Sequence, residues 1–151
     1  MSEGTVRAVL HPVVVTGDME GALAFYGDLL GLTVKSRMVH DGDKLARLGG
    51  PRRAEATAVV LAAPDGSEIE IACFAEPRGR PRSDAAWPDA GIRSITFVVD
   101  DLQKLMARLT AAGHRSAGEV VPFAVDGDNF KVAYVNGPDG VVLTLLERLS
   151  T

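Results

Sequence analysis

The feature that most constrains this chain is that it repeats itself. Pro64-Asp65-Gly66 recurs as Pro138-Asp139-Gly140, and each copy stands between two β-rich runs. Pro pre-sets φ and Gly accepts a positive φ, so the tripeptide is turn chemistry between strands. Upstream, Val13-Val14-Val15 leads to Asp18 and a helical stretch ending at Gly31. Phe97-Val98-Val99 leads to Asp100-Asp101 and a stretch ending at Gly113. Asp is a strong helix N-cap, and Gly commonly follows a helix end. Leu23, Tyr26 and Leu30 mark a helical stripe over about Met19 to Leu30. Leu102, Leu105, Met106 and Leu109 mark another over about Leu102 to Ala112. Each half reads strand, helix, strand, strand, strand. The expected architecture is α+β, with one domain over 1–151 built from modules 5–74 and 91–149. The Pro- and Arg-rich stretch 75–90, which lacks periodicity, is the expected linker.

Composition narrows the function classes. With 151 residues and 46% apolar content, the chain can bury a core without disulfides or metal staples. Sixteen basic against 20 acidic residues give a net charge of −4, which disfavours a polyanion such as nucleic acid as partner. Cys73 has no second cysteine to pair with, which suits a reducing compartment. No run reaches the roughly 18 apolar residues of a membrane helix. Glu3 and Arg7 interrupt any signal-like run near the start. A cytoplasmic protein without membrane partners is the expectation. Sequence signatures of a phosphate loop, a nucleophile elbow or a Cys/His zinc cluster are absent.

Several words of the sequence carry a resemblance. They are His11 seven positions before Asp18, Ala24-Phe25-Tyr26 with Leu29-Leu30-Gly31-Leu32, and Asp65-Gly66-Ser67-Glu68-Ile69-Glu70-Ile71. In the second half they are Gly91 to Leu102 and Tyr134-Val135-Asn136-Gly137-Pro138-Asp139-Gly140. Together these resemble the vicinal oxygen chelate superfamily, which includes glyoxalases, bleomycin resistance proteins and extradiol dioxygenases. The resemblance implies duplicated βαβββ modules forming a cup-shaped, partly open eight-stranded mixed sheet, and a homodimer. It also implies one divalent metal ion, held by one side chain from the first and fourth strands of each module. Carried over residue by residue, those positions fall on His11, Glu70, Ser94 and Thr144. Two match the family's ligands and two carry neutral hydroxyls. His11 and Glu70 are therefore the expected metal ligands, with His40, Asp41 and Asp43 as alternative sources of a third donor.

Strand alternation supplies an independent register, because side chains two apart share a face. Ile69, Ile71 and Cys73 fall on one face and Glu68, Glu70 and Ala72 on the other. Ser94, Thr96 and Val98 share the ligand-facing parity, as do Val142, Thr144 and Leu146. His11 is in phase with Val13 and Val15. The expected ligand-binding residues are these apolar and hydroxyl side chains together with Trp87, which would cover the mouth of the cup, pack at a dimer interface or anchor the linker to the core. Cys73 is expected to be a buried small hydrophobe, and both His40-Asp41-Gly42-Asp43 and Asp126 to Asn129 are expected to be turns.

Two functions remain open. One is a glyoxalase-like enzyme, of lyase or of isomerase or epimerase type, acting on a small, largely apolar carbonyl compound. Glu70 would be its base and His11 a ligand or acid, either around a degenerate two-ligand metal site or by metal-free proton transfer. The other is a metal-free protein that binds and sequesters an antibiotic-like small molecule.

Overall fold

The computed structural model describes residues 4–80 and 89–150. Trp87, expected to border the ligand, lies outside the described residues. The chain divides into two compact units, Met1–Arg80 and Pro81–Thr151.

The first unit contains strand β1 (Val13–Thr16), helix α1 (Met19–Leu23, continuing in π-helical form over Ala24–Leu29) and strand β2 (Thr33–His40). Helix α2 (Gly42–Arg47), β3 (Glu55–Ala62) and β4 (Glu68–Glu76) follow. The second contains β5 (Ser94–Val99), α3 (Leu102–Ala111), β6 (Val121–Val125), β7 (Asp128–Asn136) and β8 (Val142–Arg148), with a single 3₁₀ turn at Pro138–Gly140. Each unit holds one four-stranded mixed sheet, ordered β1-β4-β3-β2 and β5-β8-β7-β6. In both, the first strand pairs parallel to the fourth and the other pairings are antiparallel. The repeated strand order is the duplication expected from the repeated Pro-Asp-Gly.

The helices start where the capping residues predict. Asp18 accepts from the Gly21 amide at 3.0 Å, and Asp101 from the Lys104 amide at 2.9 Å. Glu147 of β8 also accepts from the Leu102 amide at 2.8 Å, placing a carboxylate at the positive end of α3. One face of each sheet is buried. Ile69 and Ile71 lie in the first core with Phe25 and Tyr26, whose rings meet edge-to-face at 5.0 Å. Leu143 and Leu145 lie in the second core with Leu102 and Leu109. Asp101's carboxyl is held below its usual range, first by the Lys104 amide and then by the Lys104 ammonium. Its stabilising effect is therefore present above the unfolded chain's carboxylate pKa and is lost as pH falls through the lower folded value. Asp101→Asn is expected to flatten the acid side of the stability–pH curve, read as urea midpoints near neutrality and at about pH 3.

Four local expectations change. The segment from His40 to Asp43 is not a hairpin turn. Asp41 accepts from the amides of Asp43 and Lys44 and caps α2, whose six residues are too few to show an apolar stripe. The first helix is not α-helical throughout: the Leu30 amide bonds Phe25 five residues back, a wider turn that the Leu23-Tyr26-Leu30 spacing does not reveal. Cys73 is half-buried rather than buried, because it sits toward the outer end of β4. That strand also runs to Glu76, into the span expected as linker. Asp126 and Gly127 form the expected turn, both at positive φ, as a two-residue hairpin connection requires.

Gly42 packs against the chain entering β3. A Cβ there would lie 2.6 Å from the Ala54 carbonyl oxygen, and backbone cannot swing away as a side chain can. Gly42→Ala is thus expected to destabilise by about 1–3 kcal/mol, despite alanine's helix preference, as read by chemical denaturation.

Candidate functional site

The site residues of the first unit come together because β1 and β4 are parallel neighbours. Val13 pairs with Glu70 and Val15 with Ala72. Pro12 has no amide hydrogen to give, yet its carbonyl accepts from the Glu70 amide at 3.0 Å. The pairing therefore extends past the start of β1 and sets His11 beside the two glutamates of β4.

His11 Nε2 lies 2.9 Å from Glu70 Oε2, within hydrogen-bond distance. His11 Nδ1 lies 3.7 Å from Glu68 Oε2. His40, the last residue of β2, places its Nε2 3.7 Å from the other Glu70 oxygen. Lys35 of β2 ion-pairs with Glu68 through its ammonium group. The glutamates and His11 are shielded, with side chains 10% (Glu68), 12% (Glu70) and 16% (His11) exposed, whereas Lys35 is 59% exposed. The Lys35 hydrogen bond is the main reason the Glu68 carboxyl is held below its usual range; desolvation opposes it, and the Lys35 charge and His11 add to the lowering. Val13 and Val15, on the same face by parity, are half-exposed at 55% and 53% and provide apolar surface next to the pair.

The corresponding positions of the second unit also meet. Ser94 Oγ and Thr144 Oγ1 lie 2.9 Å apart, and Thr144 is buried. Thr96 pairs with Thr144, Ser94 with Val142, and Val98 with Leu146. These side chains therefore share the sheet face opposite Leu143 and Leu145, with Val98 widely exposed. Tyr134 pairs with Thr144 from β7 and adds a phenol to that face.

Parity thus anticipated which residues lie side by side. Lys35 was not anticipated as part of the group, nor was Glu68 as a partner of His11. The signal for Glu68 was present, since it shares a face with Glu70. Lys35 lies next to a β-bulge between Val34 and Ser36, which breaks the alternation that would have placed it.

The residues do not fit the divalent metal implied by the resemblance. A catalytic metal generally takes three protein ligands plus an open position. Here the four positions offer one imidazole, one carboxylate and two neutral hydroxyls, the hydroxyls are hydrogen-bonded to each other, and of the alternative donors only His40 comes near Glu70 while Asp41 caps α2. Among the described residues, no group of three or more His, Cys, Asp and Glu side chains is arranged to hold a metal ion. No helix among them is long and apolar enough to cross a membrane.

The repeated sheet order agrees with the comparisons. Residues 8–145 match the model of the Glyoxalase/Bleomycin resistance protein/Dioxygenase superfamily, and the chain belongs to that family. It is 28% identical over 142 residues to a probable chloroplastic lactoylglutathione lyase of Arabidopsis thaliana, covering 94% of this chain but only 36% of that protein. The chain thus spans about a third of that relative's length. It is also 28% identical to the uncharacterized protein YaeR of Escherichia coli, covering 95% of this chain and 98% of that one. A glyoxalase family protein from Bacillus cereus superposes with a TM-score of 0.86 at 25% identity, over 99% of both chains. The trypanothione-dependent glyoxalase I of Leishmania major shares the fold, with a TM-score of 0.65 at 22% identity over 94% of this chain and 87% of that one.

Proposed function

We propose that this chain is a glyoxalase-like enzyme of isomerase or lyase type that moves a proton at carbon next to a carbonyl group, with Glu70 as base. The observation that carries the reading is the shielded His11–Glu70 pair, 2.9 Å apart, beside the half-exposed Val13 and Val15. A base must lie within hydrogen-bond reach of the proton it takes, and a carboxylate anchored through one oxygen can present the other. His11 holds Oε2 in this way, which leaves Oε1, 3.7 Å from His40 Nε2, as the oxygen to take the proton.

In the forward step the substrate C–H bond breaks, an O–H bond forms on Glu70, and the electron pair moves onto the carbonyl oxygen. Protonation of the resulting enolate from Glu70, at the same or a neighbouring carbon, restores the carboxylate. No oxidant or reductant is needed. Charge developing on oxygen is stabilised by nearby N–H donors. On this face His11 is engaged by Glu70 and Lys35 by Glu68, which leaves the His40 imidazole as the group for that role. The valines favour a substrate with a small apolar group.

The Ser94–Thr144 pair, lying where the resemblance places metal ligands, favours a second reading, in which the chain binds and sequesters a small molecule without turning it over. One experiment separates the two. The protein is incubated in deuterium oxide with S-lactoylglutathione or with phenylacetone, and loss of the proton beside the carbonyl is followed by proton NMR. Saturable, protein-dependent exchange of at least one compound is expected. Binding without exchange for both would contradict the enzymatic reading and leave sequestration.

A further inference from the structure

We infer that Lys35, whose ammonium pairs with Glu68, supplies from within the chain the positive charge that a divalent ion would otherwise supply to this face. Each of the four carboxylate oxygens of Glu68 and Glu70 faces a nitrogen of the protein. Glu68 Oε1 meets Lys35 Nζ, and Glu68 Oε2 faces His11 Nδ1 at 3.7 Å. Glu70 Oε2 meets His11 Nε2 at 2.9 Å, and Glu70 Oε1 faces His40 Nε2 at 3.7 Å.

Two carboxylates one pleat apart on a shielded face repel each other, and each loses hydration. A bound divalent ion is one way to offset both effects. An internal cation is another, and here Lys35 pairs with Glu68 while each remaining oxygen has an imidazole nitrogen within 4 Å. The Lys35 ammonium is the group that a metal does not tolerate. An imidazole can give up its proton and become a ligand, but a protonated lysine stays as a repelling charge beside the donors. The Lys35 side chain is 59% exposed while its ammonium pairs with Glu68. The inference does not depend on turnover; it applies equally to an enzyme and to a sequestering protein.

The test uses the full chain and metal ions alone. Wild type, Lys35→Met and Glu70→Gln are each titrated with zinc, manganese and nickel by calorimetry, with folding checked by circular dichroism. Wild type is expected to show no saturable one-to-one binding. Lys35→Met is expected to bind zinc at least roughly tenfold more tightly than the wild-type limit, because His11, Glu68, Glu70 and His40 can then regroup around an ion that no longer meets the ammonium beside Glu68. Stoichiometric binding by wild type that Glu70→Gln abolishes would overturn the inference. Equal absence of binding in wild type and Lys35→Met would overturn it as well, since too few donors, rather than an internal cation, would then be keeping metal out. Neither result is read through activity, so failure here and failure of the proton-transfer reading are separate outcomes.

Discussion

Glu70→Gln is expected to lower proton exchange beside a carbonyl by about 10²- to 10⁴-fold, the range that positioned acid–base groups contribute. That corresponds to roughly 3–5 kcal/mol of barrier. The substitution keeps the side chain's length and leaves an amide oxygen to accept from His11 Nε2. It removes the carboxylate's ability to take a proton. The fold should therefore be retained, and the loss should appear in the rate of the chemical step. Exchange measured at saturating probe, alongside the thermal midpoint, checks both parts. A rate within a few-fold of wild type would mean that Glu70 only holds ligand.

The second large effect lies one residue along the same strand. Ile71→Ala is expected to destabilise the protein by about 2–5 kcal/mol, since truncating a buried aliphatic residue removes its transfer free energy and leaves a cavity. Ile71 is fully buried, on the face of β4 opposite Glu70. Its neighbours in the register are Val59 on β3 and Val14 on β1, both also buried, so there is little freedom for the site to collapse. A loss of this size is a large share of the roughly 5–15 kcal/mol typical of a domain. Urea denaturation measures it, and a cost below about 1 kcal/mol would show that the core repacks.

These two predictions rest on one β-strand whose alternation could be read directly from the sequence. Ile69 and Ile71 point one way and Glu68 and Glu70 the other, and a period of two leaves no second choice once one face must be buried. The repeated Pro-Asp-Gly and the Asp caps at Asp18 and Asp101 were legible for a similar reason: each is a local device with one backbone solution. Ser94 and Thr144 were matched across 50 residues by the resemblance, and the parallel pairing of β5 with β8 brings them together.

What escaped was what depends on short segments or broken periodicity. Helix α2 is only six residues long, and its cap is the Asp41 that otherwise reads as a turn residue. The π-helical turn at Ala24–Leu29 keeps Phe25 and Tyr26 buried without altering the apolar pattern that both helix types share. Lys35 and His40, the latter legible only as an alternative metal donor, lie on β2, an edge strand with an irregular register and mostly exposed side chains. Nothing in their spacing points to β4; their contacts with Glu68 and Glu70 are made two strands away, across β3. The metal expectation came from the resemblance, whereas the mutual hydrogen bonds that close the two pairs are a matter of three-dimensional contact.

The measurement that tests the central claim most directly compares affinity and exchange in the same tube for Glu70→Gln. Phenylacetone, or whichever carbonyl probe the wild type exchanges, is titrated while its proton exchange into deuterium oxide is followed by NMR. The account predicts that the variant binds the probe within a few-fold of wild type and no longer exchanges its proton. Loss of binding together with exchange, or exchange that persists, would contradict it, because Glu70 would then be a ligand contact or a bystander rather than the base.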